Sequence, residues 1–256
     1  MDSTLLFMLI GSAAFFAGFL NAIAGGGTFL TLPALIFAGV PPVAANATST
    51  LAVLPGYLGA AFGFRHELAQ LERRETVTLT IVSLAGGLVG AGLLLVTSNQ
   101  AFQLLIPWLM LFATLAFALG DRAQSWFIKQ GIDGRDHLST VVFGVSVYGG
   151  YFNGGLGIVL MACLTVAGIH GLNLINGLKN FISLVLCLIS AVTFSVAGIV
   201  SWKYALLMMC LATVGGYAGA LASKRVPKQI VRVSVIVIGL GMSILFFIKS
   251  MPGEIS

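Results

Sequence analysis

Apolar residues run along most of this chain, and its information sits where they stop. Hydrophobic segments fall at about 4–23, 28–39, 43–64, 76–96, 101–120, 139–157, 158–169, 172–200, 203–222 and 230–249. A helix needs about 20 apolar residues to cross a bilayer, so eight of these segments are predicted to be long enough. The remaining two, 28–39 and 158–169, hold 12 residues each. That is about 18 Å of helix, and both read as half-helices.

One stretch breaks the pattern hardest. From Ala17 to Thr50 the chain reads AGFLNAIAGGGTFLTLPALIFAGVPPVAANATST, with a triple glycine, a double proline and a polar run inside hydrophobic sequence. Backbone polar groups in a bilayer must find partners in protein or water, so such irregular chain belongs where it is buried or lines a cavity. The stretch is predicted to handle something polar.

The ten segments also repeat. Gly18–Asn21 (GFLN) matches Gly150–Asn153 (GYFN), and AGV at 38–40 matches AGI at 167–169. The run Asn46–Thr50 falls opposite Asn176–Asn180, and GGLVGA at 86–91 opposite GGYAGA at 215–220, at a near-constant offset of about 130 residues. A fused duplication is expected: a first transmembrane repeat over 1–120, a cytoplasmic linker over 121–138 and a second repeat over 139–256.

Charge decides how the halves are oriented. Basic residues collect in three short loops: Arg65, Arg73 and Arg74; Arg122, Lys129 and Arg135; Lys224, Arg225, Lys228 and Arg232. Cytoplasmic loops carry the excess of Lys and Arg. Five passes per half place all three inside and leave only Lys203 and Lys249 outside. Four passes, with re-entrant short segments, would move the third loop outside. Five is the better reading, and an odd number makes the halves an inverted repeat with both termini periplasmic, as in many secondary transporters.

Composition agrees. The chain is 58% hydrophobic and 8% charged, against about 25% charged in a soluble domain, with a mean hydropathy of +1.04. The fold class is an all-α polytopic membrane protein with one short broken helix per half. A net charge of +5 reflects orientation signals and gives no sign of nucleic-acid binding. Cys163, Cys187 and Cys210 lie in apolar stretches as small core or lipid-facing residues; without a Cys/His cluster, zinc and redox roles are not expected. The first segment lacks a basic leader and reads as a permanent helix.

Three groups of residues carry candidate chemistry. Asn21, Gly25, Gly26, Gly27 and Thr28 sit where the first long segment meets the first short one. Glycines let backbone amides turn toward an ion, and a half-helix starting near Thr28 aims its positive end there; close packing through small residues is the plain alternative. Asn153, Gly154, Gly155, Leu156 and Gly157 form the matching break in the second half. After Pro41 and Pro42, Asn46, Thr48, Ser49 and Thr50 offer a carboxamide and hydroxyls, with Asn46 and Thr50 on one helix face. Hydroxyls bonding back to their own helix would be the structural explanation.

Lys179 is the most informative single residue. It stands inside LNLINGLKNFISLVL with Asn176 and Asn180 at helical spacing, and none of the eight Asp and Glu residues lies within an apolar run. Intramembrane charges are rare and usually line a pathway. An anionic substrate would supply the missing counter-charge; snorkelling to a nearby surface is the alternative. The same absence of acids leaves no carboxylate proton relay. His170 at the end of the second short segment could titrate, while His66 and His137 read as surface. Tyr148, Tyr151, Trp108, Trp126 and Trp202 near segment ends read as interfacial anchors, and Arg65 as a topology-setting charge.

These motifs resemble the sulfite exporter TauE/SafE family of anion permeases. The resemblance rests on AGFLNAIAGGGTFLTLPAL, GVPP and AANATST with the counterparts GGYFNGGLGI and LNLINGLKNF, and covers nearly the whole chain. It implies a bacterial inner-membrane, multi-pass carrier of small sulfur-containing anions, with no enzyme activity and no cofactor. The positions it implicates are Asn21, Gly25, Gly26, Gly27, Asn46, Thr48, Ser49, Thr50, Asn153, Asn176, Lys179 and Asn180. The second half lacks the triple glycine and double proline and has Lys179 where the first half has Ser49, so the halves need not play equal roles. Partners implied are the anion and the lipid bilayer; self-association, transport direction and coupling ion stay open. A passive anion channel and a permease for another organic anion are the rival readings.

Overall fold

A computed structural model describes residues 3–23, 26–129, 137–169, 171–222 and 228–250. Within these the chain is helical throughout: α1 (Ser3–Ile23), α2 (Thr28–Phe37), α3 (Pro42–Gly63), α4 (Arg65–Leu68), α5 (Arg73–Val96), α6 (Asn99–Lys129), α7 (Leu138–Tyr151), α8 (Leu156–Val166), α9 (Leu172–Val196), α10 (Trp202–Ala222) and α11 (Lys228–Ser250). Among the described residues, four spans are long and apolar enough to cross a membrane: Thr4–Ala22, Arg73–Val96, Asn99–Ala116 and Asn173–Val196. The protein is an all-α, multi-pass membrane protein. Gly25, His170 and the basic residues Arg135, Lys224 and Arg225 lie outside the described residues.

The second helix break differs from the sequence expectation. Segment 139–157 was expected as one long crossing helix, but α7 has 14 residues and spans about 21 Å. The chain leaves the helix at Phe152, and Gly155 takes a left-handed conformation (φ 69°) before α8 starts at Leu156. A side chain at Gly155 would be strained there. The break therefore falls at Phe152–Gly155, in register with the first break, and Gly157 lies inside the first turn of α8.

The paired AGV and AGI sequences are matching helix stops. Gly39 (φ 83°) ends α2 with Gly39 N–H on the Ile36 carbonyl and Val40 N–H on the Leu35 carbonyl; Gly168 (φ 77°) ends α8 with Gly168 on Thr165 and Ile169 on Leu164. Each turn satisfies carbonyls that the helix end would leave bare. Pro42 then opens α3, where a missing N–H costs nothing.

Helices from the two halves interleave. α1 packs along α10, α5 along α7, α3 against α9 and α6 against α11; α2 touches α11 as α8 touches α6. Exchanging α1, α2, α3, α5 and α6 with α7, α8, α9, α10 and α11 leaves the principal pairings unchanged; α4, set against α9, has no counterpart. The repeated glycine motifs make the close pairs. A Cβ at Gly18 would collide with the Ala212 carbonyl of α10, and one at Gly90 with the Val147 carbonyl of α7. Small residues let membrane helices approach this closely.

Direction follows from the contacts. Phe7 meets Tyr204 and Phe19 meets Gly219, so α1 and α10 run parallel. Thr48 meets Ser201 while Phe64 meets Gly177, so α3 and α9 run antiparallel. Pro107 meets Ser243 and Thr114 meets Gly239, which makes α6 and α11 antiparallel as well.

Two apolar cores result. One gathers Ile10, Phe29, Leu32, Phe102, Met110, Phe194 and the early part of α3 through Ala52. The other gathers Val53, Tyr57, Leu79, Val142, Leu160, Leu164 and α9 from Ile175 to Cys187. Helices α3 and α9 pass through both. α2 belongs to the first core and most of α8 to the second, and the helix breaks lie where the cores meet.

Candidate functional site

The two breaks meet in space. Thr28, the first residue of α2, donates its hydroxyl to the Asn153 carbonyl in the α7–α8 break (3.5 Å). Asn153 in turn donates Nδ2 to Cys187 Sγ of α9 (2.9 Å) and accepts the Tyr57 hydroxyl of α3 at Oδ1 (3.4 Å). One asparagine thus ties both half-helices to both of the long helices that cross the cores. It is buried, as are Thr28 and Tyr57.

The helix starts concentrate positive potential here. Both α2 and α8 begin at this junction, and the first turn of a helix leaves amide donors without intrahelical partners. Together with the helix dipole these favour negative charge. Tyr148 holds the second break in shape by donating its hydroxyl to the Gly154 carbonyl (2.6 Å). That corrects the expectation of an interfacial anchor, since its polar tip faces inward. Trp108 and Trp202 remain exposed on the helix exterior, where an anchor would sit. The Trp126 side chain lies outside the described residues.

The ANATST run splits between roles. Thr48 donates to the Ala44 carbonyl (2.7 Å) and Thr50 to the Asn46 carbonyl (3.0 Å), the back-bonding habit of buried hydroxyls. Thr48 also accepts the Ser201 N–H (3.1 Å), joining the N-terminal part of α3 to the turn between α9 and α10. Ser49 instead reaches across to Thr31 on α2, with hydroxyls 2.6 Å apart. Asn46 donates Nδ2 to the Tyr151 carbonyl at the end of α7 (2.9 Å), while its buried Oδ1 has no partner among the described residues.

Of the glycines, Gly26 and Gly27 are buried, with Gly26 facing Val235 and Gly27 facing the Ala17 carbonyl and Asn21. Close packing accounts for Gly27, and Asn21 lies half-buried alongside Gly56 of α3. In α9, Asn180 donates Nδ2 to the Asn176 carbonyl (2.8 Å), a bond within its own helix.

Lys179 is partly buried, and its methylenes lie over Gly157 on the first turn of α8. The described acids Glu67, Glu72 and Glu75 sit in α4 or around the start of α5, and none forms a salt bridge with it. The structure thus brings Lys179, Gly157 and the α8 start together, and brings Asn153, Thr28 and Tyr57 together. Arg65 lies apart at the surface, its guanidinium 4.6 Å over the Phe62 ring.

Sequence reading missed Tyr57, Thr31, Ser183 and Cys187. Thr31 follows Thr28 at helical spacing, and Ser183 and Cys187 follow Lys179 at i+4 and i+8, a periodic signal that was present. Tyr57 gave none, because its partner Asn153 lies 96 positions away. Among the described residues no group of His, Cys, Asp or Glu is placed to hold a metal ion.

Comparison with known proteins gives one family match, the model described as "Sulfite exporter TauE/SafE", over residues 10–246. The chain is 29% identical to a "Probable membrane transporter protein" of Haemophilus influenzae, covering 93% of each chain. It is 26% identical to the "Probable membrane transporter protein ORF9" of a Sinorhizobium species, covering 91% of this chain and 88% of that one. With the "Probable membrane transporter protein YfcA" of Escherichia coli K12 it shares 27% identity, over 95% and 90%. No solved structure matches the chain.

Proposed function

The chain belongs to the sulfite exporter TauE/SafE family of membrane transporters, and from that premise we propose that it carries a small sulfur-containing anion across the bacterial inner membrane by alternating access. Sulfite and organosulfonates are the substrate class this reading favours. The observation that carries it is the meeting of two half-helix starts, one from each half, beside a lysine without an acid partner among the described residues. Amide donors and Asn153 replace the anion's hydration, and Lys179 offsets its charge.

The halves act as an inverted repeat. Antiparallel packing of α3 on α9 and of α6 on α11 supports this, because equivalent helices point in opposite directions only when the relating axis lies in the membrane plane. The polar junction is roofed by one apolar core and floored by the other. That favours a carrier over a passive channel, which needs an open path through both.

The test is binding of sulfite, sulfate, thiosulfate, taurine and sulfoacetate to the purified protein, with Lys179→Ala in parallel. Saturable binding of one anion, lost in the variant, is the expected result. Equal binding by the variant would place the charge-compensating group elsewhere, and no binding by any of the five would remove sulfur anions as the substrate class.

A further inference from the structure

The polar face of α9 continues past Lys179. Ser183 follows one turn on, about 6 Å along the axis, and Cys187 one turn beyond that. Ser183 is fully buried, and its hydroxyl has no partner among the described residues. The Tyr57 hydroxyl of α3 lies near enough to interact with it but makes no hydrogen bond of good geometry to it; Tyr57 makes the long 3.4 Å contact to Asn153 Oδ1. Two other buried serines, Ser190 and Ser243, bond a carbonyl at 2.8–2.9 Å. Ser183 does not, nor do Ser83 of α5 and Ser146 of α7; of these three only Ser183 shares the α9 face of Lys179, and an unsatisfied buried hydroxyl costs stability unless something uses it.

From this we infer that Ser183 and Tyr57 form a second oxyanion subsite, one turn deeper than Lys179 and against the Asn153 junction. The inference rests on the anion-carrier reading and adds a ligand pair to it. Both hydroxyls are donors, and neither is committed to a short bond. An oxyanion leaving the lysine moves along α9 to Ser183, and the Tyr57 hydroxyl swings from Asn153 to a substrate oxygen. Tyr57 and the α9 residues around Ser183 belong to the second core, about one to two turns from where α3 and α9 pass into the first, so the pair stands next to the point where the substrate passes between them. Two neutral donors suit a transient stop, since they hold an oxyanion without the deep well a second cation would create.

The experiment is equilibrium binding of sulfite, sulfate and thiosulfate to the wild-type protein, Tyr57→Phe, Ser183→Ala and the double variant, alongside transport of the same anions in proteoliposomes. Tyr57→Phe keeps the ring and Ser183→Ala nearly keeps the volume; a melting curve of each confirms folding. Each single variant is expected to weaken binding roughly tenfold, as loss of a hydrogen bond to a charged group does, and to slow transport while melting near the wild-type temperature. Wild-type affinity and transport in both, with Lys179→Ala still defective, would overturn the subsite and leave the carrier reading standing. Variants that melt early yet bind normally would also overturn it, making the pair structural. Absence of anion binding by the wild-type protein would instead remove the reading on which it rests.

Discussion

Thr28 and Asn153 stand 125 positions apart in the chain and are joined by a hydrogen bond from the threonine hydroxyl to the asparagine carbonyl. One residue heads the half-helix of the first half; the other lies just before the half-helix of the second. Their contact makes a single polar junction out of two separate helix breaks.

Asn153 should therefore matter more to stability than its repeat partner. Removing its side chain leaves the Tyr57 hydroxyl and the Cys187 thiol without their partner in a dry setting. Asn153→Ala is expected to cost about 1–2 kcal/mol, read as a fall in melting temperature in detergent. Asn21→Ala, at a half-buried position, should cost less than about half of that. Equal losses would mean that the two asparagines do equivalent structural work.

The Thr31–Ser49 pair allows a direct measurement of coupling between α2 and α3. Their hydroxyls lie 2.6 Å apart and both residues are fully buried. Ser49→Ala and Thr31→Val should each destabilise the protein, and the double variant should fall short of the sum by about 0.5–1.5 kcal/mol. Strict additivity in a thermal-unfolding cycle would show that each hydroxyl is satisfied elsewhere.

How far the fold could be read from the chain depended on whether a signal was local. The AGV and AGI pair was legible because a helix stop is made by adjacent residues. The break at Phe152–Gly155 was misplaced because Leu156, Gly157 and Ile158 are as apolar as a crossing helix, and only the left-handed Gly155 separates them. Asn153 was visible through its repeat partner Asn21. Tyr57 was invisible, since its role comes from packing against a distant residue of the other half. Thr48 and Thr50 read as candidate ligands in sequence, with back-bonding as the alternative; both donate to carbonyls of their own helix, and Thr48 also accepts the Ser201 N–H.

The glycine pairings make a sharp contrast within one helix. Gly90 of α5 meets the Val147 carbonyl of α7, whereas Gly92, two residues on, has open space where a Cβ would stand. Gly90→Ala should cost about 1–3 kcal/mol by forcing α5 and α7 apart. Gly92→Ala should be neutral or stabilising by up to about 1 kcal/mol, because it removes chain freedom without meeting anything. Thermal unfolding of the two variants side by side checks this, and a Gly90→Ala protein as stable as Gly92→Ala would contradict the close approach.

The turn between α9 and α10 decides the number of passes. With five passes per half, α3 and α9 cross in opposite directions, as their contacts at Thr48–Ser201 and Phe64–Gly177 require. With four, the short helices return to the side they left, and α3 and α9 would cross in the same direction. The basic loops at Arg73 and Lys228 then end on opposite sides, against the preference of Lys and Arg for the cytoplasm. Ala197 and Gln70 are both exposed and flank these crossings. In intact cells, a membrane-impermeant thiol reagent should label Ala197→Cys but leave Gln70→Cys and Lys228→Cys unlabelled until the membrane is opened. Protection of Ala197→Cys together with labelling of Lys228→Cys would instead require re-entrant α2 and α8, and with them a repeat that is not inverted.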